Sequence, residues 1–149
     1  LESYVDQCLL IARAERGQLS VTMEPVALDI LVDDVIEPFT LLAREEGRKL
    51  VCDYDSVQAV AGVPWIIRQI LHNFLSNALK HGSGTIHVAV CHNTDETLLA
   101  VSNPLKKDDS GGTGLGLRIV DALTRCHGNL RHEHRIESKI YHANLIFKK

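Results

Sequence analysis

The chain has 149 residues, 45% of them apolar, and a formal net charge of −3. That length holds one domain with its own core, and that apolar fraction excludes intrinsic disorder. Basic residues do not cluster, so a nucleic-acid or membrane-surface role has no electrostatic support. No apolar run spans a bilayer, and no signal-peptide pattern stands at Leu1. The four cysteines, Cys8, Cys52, Cys91 and Cys126, form no C-x-x-C pair, the pattern of reduced thiols in a cytosolic protein.

In chain order, Leu1, Val5, Cys8 and Ala12 are spaced 4-3-4, with Tyr4 and Ile11 alongside. That spacing predicts an amphipathic helix with a coiled-coil-like seam, ending near Gly17. No N-cap precedes Leu1, so the helix is expected to be longer in a parent protein of which this chain is a piece. "QLSVTME" alternates and reads as a strand over 18–24. After Pro25 comes a helix with Leu28, Leu31, Val32, Val35, Ile36 and Phe39 inward, passing through Pro38 with a kink and ending at Gly47. "KLVCDYD" and "QAVAG" read as strands. Pro64 fits the first turn of a helix over Trp65–His81. "GTIHVAVCH" and "TLLAVSN" are two more strands, followed by the polar loop "PLKKDDSGG". A helix over Leu115–His127 stops at Gly128, and "NLRHEHRI" with "KIYHANLIF" closes the chain as a hairpin. His132-Glu133-His134 lies in that hairpin; with no third ligand in view it reads as a solvated face and not a metal site. Irregular alternation of helices and strands with frequent hairpins predicts an α+β sandwich with one layer of each.

Two stretches carry chemistry. In "HNFLSNALKH", Asn73, Asn77 and Lys80 are spaced 4 and 3 and share one face of the helix. Asparagine is a poor helix-interior residue, and two of them one turn apart call for a reason. A solvated helix face is one reading. The other is a ligand-facing stripe: an amide oxygen suits Mg²⁺, and Lys80 would add a positive charge for phosphate. In "GGTGLGLRIV", glycines run straight into a helix, offering free N–H groups and the positive helix end to an anion. A Walker loop would need Gly-Lys-Ser/Thr, and the dinucleotide-binding spacing would put glycine at Leu117. Joined, the stripe and the loop describe a Mg–nucleotide site between two helices.

On these residues the sequence resembles the catalytic ATP-binding domain of sensor histidine kinases, in the ATPase superfamily shared with gyrase B, Hsp90 and MutL. "QILHNFLSNALKH" resembles the N box, "GTGLGLRIV" the G2 box, and "CLLIARAERGQL" the end of the second helix of the dimerisation and phosphoacceptor domain. The resemblance implies a Bergerat-type two-layer α+β sandwich with a mixed, mostly antiparallel sheet and helices on one face. It divides the chain into residues 1–17, the end of the dimerisation helix, and 18–149, the ATP-binding domain. ATP and Mg²⁺ are the implied cofactors. Asn77 matches the Mg²⁺-binding asparagine, Asn73 the first polar N-box residue, and Lys80 the phosphate-contacting lysine; Asn73 and Lys80 take the catalytic roles. His81 falls beside the adenine. Gly112, Thr113, Gly114, Leu115, Gly116 and Leu117 form the phosphate-binding run. Where the gyrase and Hsp90 branch carries a glutamate that activates water, Asn73 cannot take a proton. The γ-phosphoryl group should therefore pass to a histidine, which lies upstream of Leu1. The implied partners are that phosphoacceptor histidine and a response-regulator receiver domain. The implied setting is a cytoplasmic domain of a homodimeric parent in a bacterial inner membrane.

The sequence departs from the family in the G1 box and the lid. Asn103 stands where an aspartate usually accepts from the adenine amino group, and Leu105 and Lys107 replace the glycines that follow. Asn103 can still accept, without charge assistance. The lid shrinks to 104–111, and Arg118, Lys106 or Lys107 are offered as substitute phosphate contacts, with plain surface charge as the other reading. These departures keep a second function open: a degenerate ATP-binding fold acting as a non-catalytic docking or phosphotransfer module. The helix at Leu1–Gly17 argues against a third, an anti-sigma-factor type of serine kinase.

Overall fold

The structure, a computed structural model, describes residues 4–19, 21–55, 59–106 and 115–149. Its elements are α1 (Tyr4–Glu15), β1 (Glu24–Ala27), α2 (Leu28–Glu45), β2 (Leu50–Tyr54), β3 (Ala59–Gly62), α3 (Pro64–His81), β4 (Ile86–His92), β5 (Glu96–Pro104), α4 (Leu115–His127), β6 (Leu130–Glu137) and β7 (Ile140–Lys148). Five strands form one sheet in the order β2-β4-β5-β7-β6. Its β2–β4 pair is parallel and the rest antiparallel. The parallel pair requires a long crossover, which β3 and α3 supply.

Alternation along the central strands decides which face is buried. Ile86, Val88 and Val90 of β4, Leu99 and Val101 of β5, and Ala143, Leu145 and Phe147 of β7 are all buried. They share one core with Leu31, Val32 and Ile36 of α2, Ile66, Ile70 and Phe74 of α3, and Ile119, Val120 and Leu123 of α4. The fold is therefore the predicted α+β sandwich, with a mixed, mostly antiparallel sheet and the helices on one face. α1 joins it by burying Ile11 and Ala14, and the Cys126 thiol on α4 donates to the Ala14 carbonyl at 3.7 Å. All four cysteines are free thiols.

Two expectations are corrected. The first strand lies at Glu24–Ala27, not at 18–24. It pairs with β3 in a separate two-stranded ribbon that sets Val26 opposite Val60. Both valines are buried, whereas Val21 and Met23 are exposed. A buried partner decides the strand; local alternation does not. Pro25 is accommodated because a two-stranded ribbon has only edges. The second correction concerns His132 and His134, which are not on a solvated face. Their parity in β6 turns them toward the helices, where the His134 ring meets Phe74 edge-on with centroids 5.6 Å apart. Among the described residues no group of histidine, cysteine, aspartate and glutamate could hold a metal ion.

Candidate functional site

The site is built on α3. Pro64 opens its first turn, and the Val63 N–H just before it donates to His127 Nε2 at 2.9 Å. Asn73 sits among the apolar residues of this helix, only 6% exposed. A buried amide has to be paired. Its oxygen accepts from Gln69 Nε2 at 2.8 Å, and its nitrogen donates to the Gly116 carbonyl at 3.3 Å. Asn77, half-buried one turn later, meets the same glycine. A Cβ on Gly116 would stand 3.6 Å from Asn73 Nδ2 and 3.7 Å from Asn77 Oδ1. A methyl group there would fill the space above the two amides. Asn73, Asn77 and Gly116, read from two separate motifs, thus meet at one point.

The C-terminal end of α3 is held by contacts that the sequence reading missed. The Arg48 guanidinium donates to the Ala78 and Leu79 carbonyls, each at 3.2 Å, and to Gly84 O at 2.8 Å. Arg48 caps this helix end together with the Gly82 N–H, which donates to Ala78 O at 3.1 Å. Burial of this side chain lowers its pKa, with Glu46 acting in the opposite direction. The chain brings Arg48 there by turning at Gly47, φ +70°, where the Arg48 N–H reaches back to Ala43 O at 2.8 Å. A Gly-Arg pair after a helix is the only trace of this clamp in the sequence.

Where β5 ends, the start of the lid is tied to the same helix end. Lys106 N–H donates to His81 O at 3.1 Å and Ser83 N–H to Pro104 O at 2.8 Å. Lys106 Nζ donates to the Lys80 carbonyl at 3.0 Å, so in this conformation it does not reach toward a phosphate site. The Lys80 side chain is exposed and His81 is half-buried. Asn103 is 3% exposed, and its amide nitrogen donates to Pro104 O at 2.8 Å. Gly82 makes room for it: a Cβ there would overlap the Asn103 amide and come within 2.5 Å of the Ala78 carbonyl. Leu115 opens α4. Leu117 is 37% exposed, and Arg118 is exposed as well. Lys107, Gly112, Thr113 and Gly114 lie outside the described residues.

The arrangement offers amide ligands and a helix N-terminus facing each other across Gly116, and the side chain at position 73 is an amide, which cannot take a proton from water. Residues 62–143 match the profile of the histidine kinase-, DNA gyrase B-, and HSP90-like ATPase family, and the chain belongs to that family. It is similar to "Probable histidine kinase 6" of Oryza sativa subsp. japonica, 39% identical in an alignment of 95 residues that covers 61% of this chain and 10% of the rice protein. It is also similar to sensor histidine kinase CusS of Escherichia coli K12, 27% identical over 146 residues, covering 83% of this chain and 30% of CusS. The chain therefore spans less than a third of either relative. The fold matches that of full-length ShkA in complex with AMPPNP with a TM-score of 0.83 at 22% identity, over 96% of this chain and 34% of that one.

Proposed function

We propose that this chain is the catalytic domain of a sensor histidine kinase, which binds Mg-ATP and passes the γ-phosphoryl group to a histidine outside the sequence. The observation that carries the reading is the meeting of Asn73, Asn77 and the Gly116 backbone between α3 and α4. In this reading Asn77 holds Mg²⁺ through its amide oxygen, a hard ligand suited to the ion. Mg²⁺ bound there would neutralise charge on the terminal phosphates. Gly112, Thr113, Gly114, Leu115, Gly116 and Leu117 offer backbone N–H groups at the positive end of α4, and Lys80 adds a mobile positive charge. Asn103 accepts from the adenine amino group, with His81 beside the ring. Asn73 orders the site and withholds a general base, so the acceptor is a histidine nitrogen and ADP leaves.

Residues 1–17 belong in this reading to the dimerisation and phosphoacceptor helix, and 18–149 to the ATP-binding domain with its lid at 104–111. On α1, Val5 is 64% and Leu9 56% exposed, an apolar edge suited to a partner helix. A response-regulator receiver domain takes the phosphoryl group next. The parent is a homodimer whose sensor lies in a bacterial inner membrane; among the described residues no helix is long and apolar enough to cross one.

Calorimetric titration of ATP, with and without Mg²⁺, tests the reading beside Asn77→Ala. Saturable binding that needs both Mg²⁺ and Asn77 is expected. Binding should weaken roughly tenfold or more in the variant, the loss that follows removal of a contact to a charged group. No binding by calorimetry or by NMR shift mapping would instead favour the docking module. Phosphotransfer is then read in a longer chain that includes the phosphoacceptor helix.

A further inference from the structure

Behind the site, four side chains form one hydrogen-bonded line. His132 Nε2 lies 3.4 Å from Asp121 Oδ1 on α4. His132 Nδ1 lies 2.8 Å from His134 Nε2, and His134 Nδ1 lies 2.7 Å from the Tyr141 hydroxyl on β7. The Asp121 end is open to solvent, with the His132 side chain 18% and the Asp121 side chain 54% exposed. Toward the other end the line runs inward: His134 packs against Phe74, and burial raises the pKa of Tyr141.

Donor and acceptor chemistry fixes the direction of this line. A carboxylate only accepts, so His132 Nε2 donates to Asp121. In a neutral His132 ring, Nδ1 must then accept, so His134 Nε2 donates to it. His134 Nδ1 accepts in turn, and the Tyr141 O–H donates. One added proton reverses the line. It goes to His132, the ring facing the carboxylate, which then donates from both nitrogens. His134 gives up its Nε2 hydrogen site, carries its single hydrogen on Nδ1 and donates to the Tyr141 oxygen. The Tyr141 hydrogen turns away. One proton is gained in total, His134 stays neutral, and the contact between His132 and Asp121 becomes an ion pair.

We propose that Asp121, His132, His134 and Tyr141 form a one-proton relay that positions α4, and with it the Gly116 backbone above Asn73 and Asn77. Asp121 lies one and a half turns along α4 from Gly116, so the strength of its tie to β6 acts on the helix carrying that backbone. Arg125 also reaches this carboxylate, its Nη2 lying 2.8 Å from Asp121 Oδ2. It holds the second oxygen and leaves the first to His132. From α3 the Phe74 ring packs edge-on against His134. Burial and the neighbouring His132 hold the pKa of His134 down to about 4, in keeping with a ring that passes a hydrogen across without keeping a charge.

The test is ¹⁵N-histidine NMR on the whole chain between about pH 8 and about pH 5, the range in which histidines titrate. The expected result is one transition shared by both rings. The His134 hydrogen moves from Nε2 to Nδ1, and the Gly116 amide signal shifts with the same midpoint. Asp121→Asn keeps the alkaline pattern, because its amide oxygen still accepts, and lowers the midpoint, because the added proton no longer gains an ion pair. Tyr141→Phe removes the last acceptor and abolishes the hydrogen transfer in His134. Separate midpoints for the two rings, a His134 hydrogen that keeps its nitrogen, or a Gly116 amide indifferent to the transition would each overturn the proposal. The further expectation that Mg-ATP affinity changes at the same midpoint rests on the function proposed above. An intact relay in a chain that binds no nucleotide would refute that function and leave the relay standing.

Discussion

Asn73 donates from its amide nitrogen to the backbone oxygen of Gly116, 43 residues further along the chain. This bond ties the middle of α3 to the first turn of α4, and it needs an N–H donor at position 73. Asn73→Asp supplies only acceptors and places a charge where the side chain is buried. A stability loss of roughly 1–3 kcal/mol is expected, together with weaker Mg-ATP binding. Urea denaturation and calorimetry measure the two separately.

Arg48 is expected to matter as much as any residue of the stripe. Arg48→Met keeps much of the stem volume but removes three hydrogen bonds, to the Ala78, Leu79 and Gly84 carbonyls, of which Ala78 O keeps the Gly82 N–H. Loss of charged hydrogen bonds to partly buried carbonyls costs about 1–3 kcal/mol. Arg48→Lys should recover only part of this, since an ammonium group cannot reproduce the planar fork. Thermal denaturation of the three proteins gives the ranking.

The turn between β6 and β7 holds Ser138 and Lys139 at φ +53° and +65°. Two consecutive left-handed residues suit Asn-Gly and not a serine and a lysine. The double change Ser138→Asn with Lys139→Gly is therefore expected to raise stability by about 1 kcal/mol. It leaves the Lys139 carbonyl free to accept the Leu105 N–H as it does now at 3.0 Å. A rise in melting temperature with unchanged nucleotide affinity is the expected reading.

Stability should fall in mild acid. Burial lowers the pKa of His127 below the ordinary 6.5, and burial with a neighbouring histidine brings His134 to about 4. Both rings bind protons more readily in the unfolded chain, so acid favours unfolding. Their contribution is fully present above about pH 6.5 and is lost as pH falls toward the folded values. In His127→Gln an amide oxygen can still accept the Val63 N–H, and nothing titrates. Urea midpoints compared in neutral and acidic buffer should drop less in this variant than in the wild type.

The residues of α3 show how far local sequence reaches. Ile66, Ile70, Phe74 and Ala78 repeat at helical spacing, so the helix and its buried face are fixed by periodicity alone. The Asn73–Asn77–Lys80 stripe follows from the same geometry, because residues three and four apart share a face whatever surrounds them. Likewise α4 begins after its glycine run and stops before Gly128. The strand over 18–24 failed because a strand is completed by a partner. Val26 is a strand residue on account of Val60, which the alternation of "QLSVTME" cannot reveal. The histidines of β6 failed for a related reason: alternation says that His132 and His134 share a face, but only the packing of α4 and Phe74 decides which face is covered. Hydrogen bonds between distant parts of the chain were equally beyond reach. Nothing local links Arg48 to the end of α3, Gly82 to Asn103, or Asn73 to Gly116. What the sequence determined by itself was the run of the helices, the apolar faces of α2 and α3 and the polar groups riding on α3, because those depend on neighbours within a turn. Which strand pairs with which, which carbonyls Arg48 caps, and how two motifs meet over one glycine were decided only by tertiary structure, because those contacts exist only once the helix layer has closed over the sheet.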